Sequence, residues 1–186
     1  MKAKINENRP LAWVVLALVI VRSIISSGGG ALRDVRAQAL DGFHYGVNGD
    51  SLCIYSDLKA RADCAYNLAD TAARYDTVPQ ASIDKVTEAA EVLDNTDDSD
   101  IAALNAADDA LDRAVELLYT ELENSSLSDA DAKFALSQYK EFTSRGLTIS
   151  RDGYNGHAGA FNNTLGAFPA SFVGMLSGVR ELPLFR

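Results

Sequence analysis

The feature that most constrains the fold is a heptad repeat of apolar residues in the second half of the chain. Its a and d positions are Ile101, Leu104, Leu111, Val115, Leu118 and Leu122. Asp108 occupies the one seam position that is not apolar. Spacings of three and four residues place side chains on one side of an α-helix, and this pattern is typical of helical bundles and coiled coils. It predicts a helix over about 101–122 that buries one face.

Three other segments extend the helical pattern. A helix over about 51–75 and a shorter one after Pro79 each carry one apolar face, and a fourth over about 130–168 has three aromatic residues at seven-residue steps near its end. The face residues are Leu58, Ala62, Ala65, Ala69 and Ala72, then Ile83, Val86, Ala90 and Leu93, then Tyr154, Phe161 and Phe168. Ser82 is suited to cap the helix after Pro79, and Pro169 is expected to end the fourth helix.

Glycines are unevenly placed along these segments. The fourth predicted helix contains Gly146, Gly153, Gly156, Gly159 and Gly166. Each costs about 1 kcal/mol relative to alanine in an exposed helix, so we expect them to permit close backbone approach. A second cluster of glycines, Gly42, Gly46 and Gly49, predicts that the helix is interrupted at 41–50. Residues 32–40, before this cluster, are expected to form a helical connection from the anchor to the bundle. The apolar tail at 172–176 either packs on the bundle or touches a membrane surface, and we favour packing.

An unbroken apolar run covers residues 11–21. It is short for a spanning helix, which needs about 20 residues, but Arg9 and Arg22 can extend to the lipid head groups. A signal peptide is the alternative, although no A-x-A cleavage site follows the run. We interpret residues 1–30 as an uncleaved single-pass membrane anchor that contacts lipid over 11–25 and ends in a flexible linker, Ser26–Gly30. Bases lie on both sides of the run, so its orientation stays open.

The negative charge is concentrated in one third of the chain. Residues 81–131 contain fifteen acidic residues but only two bases, Lys85 and Arg113, whereas the whole chain has a net charge of −9. This acidity argues against a nucleic-acid groove, which needs a basic face. The charge indicates either a solvated helical surface or an acidic patch for a basic partner or cations. The candidate acidic interaction face is Asp94, Asp97, Asp98, Asp100, Asp108, Asp109 and Asp112.

No complete catalytic or cofactor motif is found. Gly49-Asp50-Ser51-Leu52 matches the nucleophile block of GDSL-type hydrolases, but the residues before it do not form a buried strand. The single Asp-x-x-His element precedes the serine instead of following it. The sequence also lacks the Glu-x-x-His pairs of di-iron bundles, a P-loop and a dinucleotide fingerprint. We therefore predict no enzyme activity, no cofactor and no catalytic residue.

Metal and disulfide sites are also disfavoured. The segment after Asp94 resembles a calcium loop only loosely, because Ser99 replaces its glycine and Asn105 its final glutamate. Two histidines are too few for a metal cluster, and no metal ligand is predicted. Cys53 and Cys64 are eleven residues apart, or about 16 Å along one helix, which is too far for a disulfide. Both are expected to be small buried residues.

The C-terminal aromatic stripe resembles the motif of the LemA family, in which YN, YN and FP recur at seven-residue steps. Here the pairs are Tyr154-Asn155, Phe161-Asn162 and Phe168-Pro169, with phenylalanine for the second tyrosine. The segment from Leu58 to Asp63, followed by Asn67-Leu68, is similar to the family's LQRRAD-x-x-P-NL block, with Tyr66 at the proline position. The matching residues are Arg61, Ala62, Asp63, Asn67, Leu68, Arg151, Tyr154, Asn155, Phe161, Asn162, Phe168 and Pro169.

The resemblance implies an antiparallel, up-and-down four-helix bundle over 31–186, tethered to a bacterial membrane or envelope by its N-terminus. It implies no enzyme activity. We therefore expect a membrane-anchored scaffold or interaction module, with protein partners or self-association. The alternative is a ligand-binding or sensor bundle of an envelope signalling system, and a hydrolase using Ser51 ranks last. Asn155 and Asn162 are expected to bond loop carbonyls or an adjacent helix, the alternative being a conduit or partner groove.

Overall fold

The computed structural model describes residues 9–47 and 53–185. Its helices are α1 (Arg9–Tyr45), α2 (Ile54–Ala72), α3 (Gln80–Asn95), α4 (Ile101–Glu123), α5 (Asp129–Ser150), α6 (Tyr154–Gly166) and α7 (Ala170–Ser177). No strand is found within these described ranges. The prediction of an all-α chain with a long apolar helix near its N-terminus is confirmed.

The chain divides into two compact units. The anchor unit contains the described residues of Met1–Ala39 together with His157–Leu182. The bundle unit contains the described residues of Leu40–Gly156 together with Pro183–Arg186. The boundary expected after residue 30 stays a prediction, and α1 continues without a break past that point.

Helices α2 to α5 form the bundle, with α2 packed against each of the other three. Polar contacts join the beginning of one helix to the end of its neighbour, so α2 is antiparallel to α3 and to α5, and α3 is antiparallel to α4. These contacts pair Lys59 with Asp94, Asp57 with Arg145, Tyr75 with Asp131 and Ser82 with Glu121. Short connections between consecutive helices produce this up-and-down arrangement.

The heptad seam of α4 lies in the core of the bundle. Its six apolar residues are each at most 1% exposed, and Asp108 is buried among them. The apolar faces of α2 and α3 are buried as predicted. Complete burial stabilises the fold by roughly 1.5–3 kcal/mol per Leu, Ile or Val side chain, so this seam is a major source of bundle stability.

Side chains cap three helices of the bundle unit. Asp100 Oδ1 accepts a hydrogen bond from the Ala103 amide at the start of α4, and Ser128 has the same role at the start of α5. The Cys53 thiol accepts from the Ser56 amide at the start of α2. Ser82 was expected to cap α3, but it lies inside that helix, because Pro79 occupies the N-cap position.

The predicted linker at Ser26–Gly30 is wrong, because these residues belong to α1. Helix α7 packs against this part of α1. A Cβ on Gly28 would lie 3.1 Å from Val173 Cγ1, and one on Gly29 would lie 2.6 Å from Ser177 Cβ. Small residues here let two helices approach closely, so the glycines serve packing and do not add flexibility.

The single helix predicted over 130–168 is divided in the structure. Helix α5 ends at Ser150, and α6 begins at Tyr154. Asp152 Oδ1 accepts a hydrogen bond from the Tyr154 amide at 2.7 Å, and this local bond competes with continued helical pairing. Helix α6 already ends at Gly166, so Pro169 does not end it, and Pro169 instead precedes the first residue of α7.

Two further predictions have mixed outcomes. The expected break at 41–50 is present, because α1 ends at Tyr45 and Gly46 has a positive φ of 82°. Part of that segment lies outside the described residues. Of the aromatic stripe, Tyr154 and Phe161 are buried, but Phe168 is 86% exposed and is not a core residue. The break after Gly166 removes Phe168 from the helical face that the other two residues share.

Candidate functional site

A buried polar site of the bundle is centred on Arg61 of α2. Its Nε lies 2.9 Å from Asp108 Oδ1, and its Nη2 donates to Asp112 Oδ1 at 2.7 Å. Arg61 is only 4% exposed and Asp108 only 7%, whereas Asp112 is exposed. The site therefore extends from the core to the surface, with one guanidinium shared between two carboxylates of α4.

Helix α5 completes the surroundings of this guanidinium. The Arg61 Cζ lies 4.0 Å from the centre of the buried Phe142 ring, which is the geometry of a cation–π contact. A Cβ on Gly146 would clash with Arg61 Nη1. Glycine at 146 therefore provides the space that the guanidinium occupies, which agrees with the expected role of close approach. The structure shows no such neighbour at Gly156, Gly159 or Gly166.

The buried carboxyl of Asp108 has an unusual protonation equilibrium. Burial raises the pKa of Asp108 to about 6, because removing a carboxylate from water disfavours its charged form. The positive charge of Arg61 opposes this shift, and the negative charges of Asp112 and Asp109 add to it. Such a group makes the stability of the bundle depend on pH.

The other predicted acidic residues do not share one face with Asp108. Asp94 pairs with Lys59, Asp97 accepts hydrogen bonds from Ser99, and Asp100 caps α4. Asp98 and Asp109 are exposed, as an interaction surface requires. Asp108 points into the core because its heptad position faces the bundle, so its assignment to an exposed acidic surface is wrong.

The Tyr-Asn pair at the start of α6 binds the end of the chain. The Tyr154 hydroxyl donates to the Pro183 carbonyl at 2.7 Å. The Asn155 amide group bonds both backbone groups of Phe185, donating through Nδ2 and accepting through Oδ1. The Phe43 ring packs against the rings of both Tyr154 and Phe185, and its centroid lies 5.2 and 5.8 Å from theirs. These contacts all belong to the bundle unit.

Asn162 repeats the same amide pairing within the anchor unit. Its Nδ2 donates to the Leu182 carbonyl, and its Oδ1 accepts from the Leu182 amide, each at 2.8 Å. The neighbouring Phe161 is buried. The family-like motif thus places two asparagines, seven residues apart, against two backbone positions of the C-terminal segment. This arrangement agrees with the structural role predicted for the asparagines.

The remaining family-motif residues divide by burial. Ala62 and Leu68 lie in the bundle core, whereas Asp63, Asn67 and Arg151 are exposed. Asn67 donates to Gln138 Oε1 at 2.9 Å, which links α2 to α5. Ala62, Leu68 and Asn67 therefore contribute to the packing of α2 in the bundle. Their arrangement accounts for the fold more directly than for a reaction.

An open groove follows the outer surface of α3 and α4. It has a volume of about 430 Å³. Its walls are Lys85, Glu88, Ala89 and Val92 on α3, and Ala110, Arg113, Ala114 and Leu117 on α4. Each helix contributes residues at i, i+3, i+4 and i+7, so one continuous stripe of each faces the groove. Val92 and Leu117 are exposed apolar residues, and the groove also contains both bases of the acidic region.

The remaining candidates for chemistry are the GDSL-like block, a metal cluster, the two cysteines and His44. Ser51, with the rest of its GDSL-like block, lies outside the described residues. Within 9–47 and 53–185, no three His, Cys, Asp or Glu side chains come together as a metal site would require. Cys53 and Cys64 are both buried and free, as predicted. The His44 ring packs near the rings of Phe43 and Tyr55.

Sequence reasoning did not predict the contact between Arg61 and Asp108. The signal was nevertheless present, because a charged residue on an otherwise apolar heptad seam requires a buried partner of opposite charge. The spacing along one chain does not identify that partner. The Cys53 cap was also missed, since thiols are uncommon at N-cap positions.

Comparisons with known proteins identify one family. The model of the LemA family matches residues 52–186, which is most of the chain and includes both motif blocks. No curated protein and no solved structure matches the chain.

Proposed function

The chain belongs to the LemA family, and on that premise we propose that it is a membrane-tethered helical scaffold without enzymatic activity of its own. Helix α1 carries this proposal. Between Leu11 and Tyr45 it contains an 18-residue window with a mean hydropathy of 2.1, and none of that window is buried. It is the one helix of the described chain that is long and apolar enough to cross a membrane.

Exposure of this segment is the physical argument for a lipid environment. Soluble proteins rarely expose continuous apolar patches larger than a few hundred Å². Here Leu11, Trp13, Leu16 and Val19 are each about half exposed or more, and every residue from 11 to 24 is exposed. Residues 11–25 extend about 22 Å along the helix axis, and the long side chains of Arg9 and Arg22 can reach the lipid head groups on either side of the hydrocarbon. We infer that lipid, and not protein, covers residues 11–25.

The proposed role of the bundle unit is to present a surface to a protein partner. The groove between α3 and α4 combines exposed apolar residues with Lys85, Glu88 and Arg113, and both of its helices belong to the most acidic part of the sequence. Asp98 and Asp109 are exposed in that region. A partner helix with apolar residues on one face and bases at its edges would match both properties. A second copy of this chain is another possible occupant.

A ligand-binding role is the second candidate, and the same groove supports it. Lys85 and Arg113 are the only bases among residues 81–131, and both line this groove. A small molecule with an anionic group and an apolar body would contact both kinds of side chain. Such a ligand would bind the purified protein without any protein partner, which distinguishes the two candidates.

Membrane fractionation tests the tether. Replacing Leu16 and Val19 with lysine should move the protein from the carbonate-resistant membrane fraction to the soluble fraction, because each charge is costly inside a bilayer. Leu147→Lys is the matched control, since Leu147 is 57% exposed in α5 and its substitution should leave the fractionation unchanged. An unmodified chain that remains soluble after cell disruption would contradict the proposal.

Site-specific photocrosslinking tests the scaffold role. A crosslinking amino acid at position 92 or 117 should capture one defined protein from native membranes, whereas the same residue at position 147 should not. Neutralising Asp98 and Asp109 together should reduce this capture and its dependence on salt. Equal capture from all three positions would contradict a specific partner surface. A crosslinked product of twice the chain mass would identify self-association.

A further inference from the structure

We propose that the anchor unit contains a binding site for an anionic phospholipid, formed by α1 and α7 where the apolar run ends. A cavity of about 640 Å³ lies between these helices. Its lining residues are Leu18, Val21, Arg22, Ile25, Ser26 and Arg33 on α1, and Leu176 and Ser177 on α7. This proposal rests on the membrane tether proposed above, because it requires α1 to be inserted in lipid.

The lining changes from apolar to polar along α1. Leu18 and Val21 lie at the end that belongs to the apolar run, and Ser26 and Arg33 lie at the other end. Fifteen residues separate Leu18 from Arg33, a distance of about 22 Å along the helix axis. A phospholipid has the same order of parts, with acyl chains at one end and a charged head group at the other. A free anion would use only the polar end of this cavity.

Arg22 is the residue that most requires an anionic neighbour. It follows the eleven apolar residues of 11–21, so it enters the bilayer together with them or lies at the edge of the hydrocarbon. A cation at that depth is costly unless its long side chain reaches a phosphate group. No carboxylate of the described chain lies within ion-pair distance of Arg22 or Arg33, and Asp34, the single acid between Arg22 and Arg36, does not line the cavity.

Helix α7 is held in place by arginines of α1. Arg33 Nη2 donates to the Ser177 carbonyl at 2.7 Å, and Arg36 Nε donates to the Arg180 carbonyl at 3.2 Å. Cations near the last carbonyls of a helix are favourable. Arg33 retains other N–H groups that can bind a phosphate oxygen, since a guanidinium has five donors. The cavity is therefore shaped by fixed contacts on both helices.

The outer surface of α7 is also suited to lipid. Phe172 and Met175 are 51% and 71% exposed, and Phe168, just before the helix, is more exposed than either. A short helix with such residues lies naturally at the boundary between head groups and acyl chains. This placement would bring α7 and the cavity to the same level of the membrane as the head groups, next to Arg22.

Lipid retention by the full-length protein tests the site. The chain is purified in mild detergent, exchanged into nanodiscs of equal parts phosphatidylglycerol and phosphatidylcholine, and released for native mass spectrometry. The unmodified chain should retain phosphatidylglycerol about tenfold more than phosphatidylcholine, and Arg22→Gln should remove most of this preference, a loss of roughly 1.4 kcal/mol. Arg22→Lys should keep part of it, and Arg151→Gln in the bundle unit is the matched control.

The outcomes separate this site from the tether and from a simple anion site. Arg22→Gln should remain in the carbonate-resistant membrane fraction, so loss of lipid preference with retained membrane association supports the site alone. If millimolar inorganic phosphate displaces phosphatidylglycerol, the polar end is a general anion site and the lipid proposal is wrong. Equal retention of the two lipids by the unmodified chain, or an unchanged preference in both Arg22→Gln and Arg22→Gln/Arg33→Gln, would also overturn it.

Discussion

Apolar side chains are buried along α4 in the bundle unit but exposed along residues 11–21 in the anchor unit. In the bundle unit, the heptad residues of α4 are almost completely buried against α2, α3 and α5. In the anchor unit, residues 11–21 are all apolar, and the described part of the chain leaves them exposed. The difference shows that hydrophobicity alone does not define a core. Periodic apolar residues with polar neighbours fold against protein, whereas continuous apolar residues suit a lipid environment.

The aromatic stripe crosses from one unit to the other and gives the largest expected contrast. Tyr154 is fully buried in the bundle unit, and Phe168 is exposed in the anchor unit. Tyr154→Ala should lower the free energy of unfolding by about 3–5 kcal/mol, because it leaves a cavity and frees the Pro183 carbonyl. Phe168→Ala should change it by less than about 0.5 kcal/mol. Chemical denaturation in detergent measures both, and equal losses would remove the contrast.

The buried charge cluster tests whether the bundle core depends on pairing as well as on apolar packing. Arg61→Ala should cost about 3–5 kcal/mol, because Asp108 is left buried without its counter-charge. The double variant Arg61→Met/Asp108→Leu should recover much of that loss, since a well-packed apolar pair often replaces a buried ion pair. Thermal unfolding of the single and double variants measures this coupling. A double variant no better than the single one would indicate that Arg61 acts through Phe142 packing.

Asp108 should also make bundle stability depend on pH. The carboxyl has a pKa of about 6 in the folded chain, and an unfolded aspartate titrates near pH 3.9. The folded state therefore holds this proton more tightly, so the contribution is favourable below about pH 4 and is lost as the pH rises through 6.

Between pH 4 and 7, the difference in unfolding free energy between the unmodified chain and Asp108→Asn should fall by an amount on the order of 2–3 kcal/mol. The groups that face Asp108, namely Arg61, Asp109 and Asp112, stay unchanged in this comparison. Denaturant titrations at several pH values provide the measurement. Parallel curves for the two proteins would show that Asp108 does not titrate in this range.

The smallest expected effect concerns the amide pairing in the anchor unit. Asn162→Ala should destabilise the C-terminal segment by about 1–3 kcal/mol, because the two backbone groups of Leu182 lose their partners. The adjacent Asn163 is exposed, so Asn163→Ala is a matched control and should have little effect. Proteolysis of the C-terminal segment in nanodiscs should be faster for Asn162→Ala alone. Equal proteolysis rates for the two variants would indicate that buried apolar residues, and not the Asn162 amide, stabilise this segment.

The sequence was sufficient for α2, α3 and α4, for the buried seam and for the apolar segment, because each depends on local periodicity or local composition. The heptad of 101–122 identified the buried residues of α4 correctly. The same kind of local reasoning failed at Ser26–Gly30, which we expected to be a flexible linker. Ser26–Gly30 is helical because Val173 and Ser177 lie against it, and those contacts are between residues far apart in sequence.

Only the tertiary structure decided what the motif residues contact. Sequence similarity identified Arg61, Asn155 and Asn162 as motif positions, but it did not show that Arg61 pairs with a seam aspartate or that the asparagines bind the backbone of the C-terminal segment. The physical reason is that periodicity specifies which face of a helix is buried, whereas the partner of a polar side chain depends on which helices meet. Charge and hydropathy along this chain therefore determined its class, and the packing of its helices determined its candidate sites.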